Sequence, residues 1–107
     1  MTGRPSPASV AQGLDELIHA PVRLAAMSIL AAVDDAEFTY LRERTGATDG
    51  NLGAHLRRLE DAGYVAATKS FEDRKPVTRY HLTRRGREAF RRYVDRLETM
   101  LSGGGER

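Results

Sequence analysis

The side chains in this chain that could do chemistry are cations and amides, set at helical and hairpin spacings in its second half. Asn51, Arg57 and Arg58 stand in the run DGNLGAHLRRLEDAG; Arg74 and Lys75 stand in the charged connection EDRKP, with Lys69 just upstream. Ammonium and guanidinium groups neutralise phosphates and release the counterions condensed on a duplex. Arg74, Lys75 and Lys69 suit that role. An asparagine amide can pair with an adenine edge, and an arginine fork with guanine, each contact giving about 1–3 kcal/mol of discrimination. Asn51 and either Arg57 or Arg58 suit that second role; Glu60 and Asp61 are the carboxylates that could instead hold the arginines. Thr39 and Tyr40, at the start of a short helical run, could hydrogen-bond a phosphate beside the free N–H groups of a helix N-terminus. His55 borders an apolar stripe and is expected to be half-buried, bonded to backbone or to a phosphate.

Other chemistries find little support. The chain has no cysteine, and its three histidines, His19, His55 and His81, fall in three different elements. That excludes disulfides and thiolate metal sites, and no metal or other cofactor is expected. There is no nucleophile–base pairing and no phosphate-cradling glycine loop, and the one glycine run is GGG at 103–105, so an enzyme is not expected. No apolar run is long enough to span a bilayer, and TGRPSPAS lacks the apolar core of a signal peptide. A cytoplasmic, nucleoid-associated protein is the expectation. The net charge of +2 matters less than its distribution. Residues 14–50 hold three arginines against seven acids, whereas residues 51–96 hold twelve basic residues against six acids. A chain polarised in this way suits a polyanionic partner.

The positioning elements can be read in order. Residues 1–13, interrupted by Pro5 and Pro7, read as a disordered arm. LDELIHA over 14–20 reads as a short helix carrying Leu14, Leu17 and Ile18. Pro21 opens the next helix at its first turn, with Val22, Ala26, Ile29 and Val33 expected on its buried face and Ala25 and Leu30 beside it. Glu37 and Phe38 read as a very short strand beside a hairpin. Thr39 is the expected cap of the two-turn helix YLRERTG, closed by Gly46. Thr48 or Asp49 caps the helix over 49–62, in which Leu52, Leu56 and Leu59 fall at i, i+4 and i+7. Gly63 ends it. A short helix, a glycine turn and a longer helix make a helix-turn-helix by length and spacing. YVAATKSF and VTRYHL are β-prone runs and form the hairpin, with EDRKP between them.

Thr83 caps a last helix to Leu101, in which Phe90, Val94, Leu97 and Leu101 are spaced 4, 3, 4 and Tyr93 and Met100 widen the stripe. At about 28 Å, it is longer than so small a domain can cover. The stripe is therefore expected to meet a second copy, together with Leu14, Leu17 and Ile18. The other reading packs it on the domain's own first helices. The expected fold is mainly α with a small β-hairpin (α+β), a winged helix-turn-helix over 14–101 with N- and C-terminal dimerisation helices. Residues 102–107 are expected as a flexible tail.

The strings HLRRLEDAGYV, RKPVTRYHLT and RRGREAF, in this order of elements, resemble those of small bacterial winged-helix transcriptional regulators of the broad MarR/ArsR-like class. The resemblance covers about residues 14–100. It implies a homodimer that binds operator DNA, with the helix over 49–62 in the major groove and the tip near 72–76 on the backbone or minor groove. Thr48, Asn51, Arg57 and Arg58 match DNA-side positions of the recognition helix, and Arg74 and Lys75 match the wing tip. ArsR-type metal sensors use cysteine or His/Asp ligand sets, which this chain lacks. Larger MarR proteins frame a ligand pocket with longer dimerisation helices, so nothing here supports a small-molecule effector. A second reading is a winged helix that binds an acidic protein partner; salt-sensitive duplex binding separates the two.

Overall fold

The computed structural model describes residues 13–103; all but Gly13 of the arm expected over 1–13, and residues 104–107 of the tail expected over 102–107, lie outside the described residues. Four helices surround one small antiparallel sheet: α1 (Pro21–Ala31), β1 (Ala36–Glu37), α2 (Phe38–Thr45), α3 (Asp49–Asp61), β2 (Val65–Glu72), β3 (Lys75–Leu82) and α4 (Arg84–Leu101). The sheet order is β1-β3-β2, with Ala36 opposite Tyr80 and Val65 opposite Leu82. This is the expected winged helix-turn-helix, mainly helical with a hairpin wing.

Local chemistry accounts for most boundaries. Pro21 sits in the first turn of α1, where its missing N–H is no loss. The Thr48 hydroxyl accepts from the Asn51 backbone N–H at 3.1 Å and caps α3. Gly63, at φ 81, ends α3 by donating to the Glu60 carbonyl while Tyr64 donates to that of Leu59. That pair of bonds closes the orphan carbonyls of the last turn. Thr83 caps α4 by accepting from Gly86 N–H at 3.0 Å.

Four expectations need correction. Residues 14–20 form turns rather than a helix, closed by bonds from Ile18 and His19 to the Asp15 carbonyl. The segment is fixed by side chains instead: Asp15 accepts from the Tyr64 hydroxyl, and His19 Nδ1 lies 2.8 Å from the Tyr93 hydroxyl. The short strand is Ala36–Glu37, and Phe38 already belongs to α2. Thr39 therefore lies inside the first turn of α2 and does not cap it; Phe38 instead packs against Tyr80, ring centroids 6.4 Å apart. Third, the hairpin turn is tighter than EDRKP suggested. Only Asp73 and Arg74 lie between the strands, at φ 52 and 69, so Pro76 lies within β3 opposite Phe71. Proline is tolerated there because β1 reaches only Arg79 and Tyr80, which leaves that stretch of β3 without a neighbour on its other side. Finally, α1 keeps the expected Ala26 and Leu30 buried but shifts the rest of its buried face. It buries Arg23, Ala26, Met27 and Leu30, while Val22 and Ile29 are only half-buried.

The core gathers around the fully buried Leu52, Leu56 and Leu59 of α3, with Ile18, Met27, Leu30 and Leu41 packed on them. Each such side chain contributes about 1.5–3 kcal/mol of burial. Helix α4 docks on the start of β2 at Gly86, where an added Cβ would stand 2.0 Å from the Tyr64 carbonyl oxygen. Gly86→Ala must displace backbone, and is expected to destabilise the domain by about 1–3 kcal/mol, read as a lower urea midpoint.

Candidate nucleic-acid interface

The leucine stripe fixes the rotation of α3 and so decides which side chains leave the core. Asn51, Arg57 and Arg58 are exposed, and neither arginine forms an ion pair with Glu60, Asp61 or any other acid among the described residues. The two arginines are not equivalent. Successive helical residues are about 100° apart, so Arg57 and Arg58 leave α3 on the two sides of the line opposite its leucines. The charge of Arg57 acts on Tyr80 of β3, whereas that of Arg58 acts on Arg23 of α1 and on His55. The pair thus straddles the outer ridge of α3, one toward the sheet and one toward α1. Gly50 and Gly53 have nothing within 4 Å of where a Cβ would stand. No neighbour within the protein requires them to be glycine.

Arg23 is absent from any pattern reading, yet it is the one buried charged residue among the described residues, at 7% exposure. Its Nε donates to the Leu17 carbonyl, and its Nη1 lies 2.9 Å from Nδ1 of His55. Burial first, and then the charges of Arg23 and Arg58, hold His55 below the usual histidine value. The expected half-buried histidine is found, but its partner is an arginine rather than backbone.

The wing is built on Arg79. Its guanidinium reaches Asp35 at 3.1 Å and Glu37 and Glu72 at 3.2 Å each. Exposed pairs contribute little singly, but this one side chain ties the turn after α1, β1 and the hairpin together. It also turns Glu72 back from the wing tip. Lys69, Arg74 and Lys75 are exposed and without an ion pair among the described residues. Arg74 holds its left-handed backbone without being glycine, a conformation that costs roughly 1–2 kcal/mol. Phe71, 77% exposed beside this tip, was not singled out from sequence.

The remaining expected positions fall elsewhere. Thr48 is occupied as the cap of α3 but stays exposed. Thr39 bonds the Glu37 carboxylate at 3.4 Å, and Tyr40 lies under Arg44, 5.1 Å from guanidinium to ring centre. Both line a hollow shared with Asp35, Glu37, Glu43 and Arg79, in which Arg79 holds the first two of these carboxylates. Arg42 bridges to Asp49 at 3.0 Å and so spans the turn between α2 and α3.

Residues 22–101 match the family described as a winged helix DNA-binding domain. The chain belongs to this family. An uncharacterized protein from Methanocaldococcus jannaschii is 35% identical over 79 residues, covering 74% of this chain and 86% of that one. The transcriptional regulator homologue from Pyrococcus horikoshii OT3 superposes with a TM-score of 0.78 at 32% identity, over 86% of this chain and 91% of that one. The transcriptional repressor CouR, bound to a 23-mer DNA duplex, shares the fold at a TM-score of 0.71 and 23% identity, covering 84% and 63% of the two chains. The family is one of DNA-binding transcriptional regulators, not of enzymes. No helix among the described residues is long and apolar enough to cross a membrane.

In this winged-helix protein the expected dimer residues divide into two groups. Leu14, Ile18 and Tyr93 are buried in the protomer's own core, at 3%, 0% and 3% exposure, and have no surface left for a second copy. They pack inward because the 14–20 turns are folded against Tyr64 and α4. Leu17, Phe90, Val94, Leu97 and Met100 are partly buried against that core, and Leu101 is 79% exposed.

The lowered His55 value has a consequence for stability. Between the folded value and the ordinary 6.5, the unfolded chain binds more protons than the folded one. The contribution is thus present above pH 6.5 and lost as pH falls below it. Unfolding free energy should decline on acidification from pH 7, and His55→Gln should flatten that decline in urea melts run across pH 5–8.

Proposed function

We propose that this winged-helix protein is a dimeric, sequence-specific transcriptional regulator that places α3 in the major groove and the β2–β3 wing along the backbone or minor groove. One observation carries the reading. The exposed cations Arg57, Arg58, Lys69, Arg74 and Lys75 belong to α3 and the wing and have no acidic partner among the described residues, while the wing's Glu72 is held by Arg79. Counterion release over such cations supplies affinity, and Asn51 with Arg58 or Arg57 supplies base reading. Thr48 supports the N-terminus of α3 against a phosphate. Thr39 and Tyr40 are left out of the interface because Glu37 and Arg44 already engage them.

In this reading the second copy meets α4. Phe90, Val94, Leu97, Met100 and Leu101 are the apolar side chains that the protomer covers only in part, and Leu17 lies with the same partly covered set. A twofold pair of α3 helices would read half-sites about 10–10.5 bp apart, or a multiple of that spacing. The protein would then act in the cytoplasm, on the nucleoid.

Binding to duplexes selected from genomic fragments should weaken steeply with salt, log affinity falling by about 0.9 per phosphate neutralised. Arg58→Ala should cost about 1–3 kcal/mol on the selected duplex and relax its sequence preference. Lys75→Ala should weaken selected and random duplexes alike. Equal losses on both duplexes for both variants would refute that division, and no retardation at low salt would favour an acidic protein partner. Because Leu101 is exposed in the protomer, Leu101→Glu should leave the fold intact by circular dichroism. It should also lower the dimer fraction at sedimentation equilibrium; an unchanged dimer would remove α4 from the interface.

A further inference from the structure

A buried guanidinium needs acceptors for its donors, and Arg23 has found one on the DNA-facing helix itself. Arginine carries donors only. A bond of 2.9 Å from Arg23 Nη1 to His55 Nδ1 therefore makes Nδ1 the acceptor. A neutral imidazole that accepts at Nδ1 carries its proton at Nε2. Protonating the ring would set an N–H donor against an N–H donor beside two fixed positive charges. The charged groups that act on His55 are Arg23 from α1 and Arg58 from α3 itself; the 14–20 turns contribute only the Leu17 carbonyl, which holds Arg23.

His55 stands with Asn51 and Arg58 at i, i+4 and i+7, one edge of α3 on the side of α1. Asn51 and Arg58 are exposed and His55 is half-buried between them. With Nδ1 taken from beneath, the hydrogen-bonding group the ring has left for that edge is the Nε2–H donor.

We propose that Arg23 is a positioning residue of the DNA interface. It locks His55 as the neutral Nε2–H tautomer, so that the Asn51–His55–Arg58 edge offers a donor to an acceptor on the duplex, a phosphate oxygen or a purine N7. The contact with the duplex rests on the DNA-binding reading above; the lock itself does not, and the two are tested separately.

The lock is read in the free, full-length protein by long-range proton–nitrogen NMR of its histidine rings, with His55 assigned by loss of its signals in His55→Gln. The expected result is a single Nε2–H tautomer that remains neutral below pH 6.5. A charged ring, or a proton on Nδ1, at pH 7 overturns the proposal without any variant. Arg23→Met, which keeps the stem and removes the donors, should give mixed tautomers and a ring that titrates at higher pH. Arg23→Lys, which keeps a donor at that place, should restore the single tautomer.

The role is read by titrating duplexes recovered by genomic selection. Arg23→Met should lose about tenfold in affinity, the equivalent of one hydrogen bond, with Arg23→Lys recovering most of it. Substituting 7-deazapurines or methylphosphonates in the duplex identifies the acceptor: the atom whose removal abolishes the difference between wild type and Arg23→Met is the partner of His55. Arg23→Met binding as tightly as wild type, with the tautomer released, overturns the positioning role. Wild-type protein that binds no duplex sinks the DNA reading itself, a result distinct from the NMR outcome.

Discussion

The structure depends on the burial of three leucines along one side of α3. Leu52, Leu56 and Leu59 are fully enclosed, and a helix held at three points along two turns cannot roll without exposing one of them. Every outward side chain of α3 inherits its direction from that constraint. The caps reinforce it. Thr48 starts the helix and Gly63 stops it, so its length and its rotation are fixed by independent means.

Around that helix, polar groups do what packing does not. The turns over 14–20 have no helical ladder, and are held by the Tyr64 hydroxyl donating to Asp15, by Arg23 Nε donating to the Leu17 carbonyl and by the bond between His19 and Tyr93. They join α1, the start of β2 and α4 at one place. Burial, helped by the Asp15 carboxylate, keeps the Tyr64 hydroxyl protonated above the usual tyrosine range. Leu14 and Ile18, expected to meet a second copy, thus serve the protomer's own core. This leaves α4 as the element whose apolar stripe runs beyond what its own core covers.

The wing shows the same division between local and distant causes. Its turn is as tight as a hairpin allows, and neither central residue is glycine. Arg74 holds a backbone conformation that a smaller residue would adopt more cheaply. Arg79, at the base, collects three carboxylates from three segments. One arginine is consumed in structure so that its neighbours can stay free, and a plain count of positive charge along the chain overstates the cations available to a partner.

The sequence by itself determined what short-range periodicity and backbone chemistry can encode. The i, i+4, i+7 leucines, the caps at Thr48 and Thr83, Pro21 in a first turn, Gly63 past a last one and the two β-prone runs specify a winged helix with little ambiguity. The resemblance of HLRRLEDAGYV and RKPVTRYHLT to that class rests on the same residues. Only the tertiary structure decided which polar groups meet. Arg23 and His55 are 32 residues apart, Arg79 and Asp35 44, Tyr64 and Asp15 49. A helical period reports which face of an element is apolar. It carries no information about a single arginine on that face whose acceptors come from elsewhere in the chain, nor about which of two adjacent arginines looks toward α1 and which toward the sheet. Those choices are made by the mutual packing of elements, because a buried donor must find its acceptor wherever the fold brings one within reach.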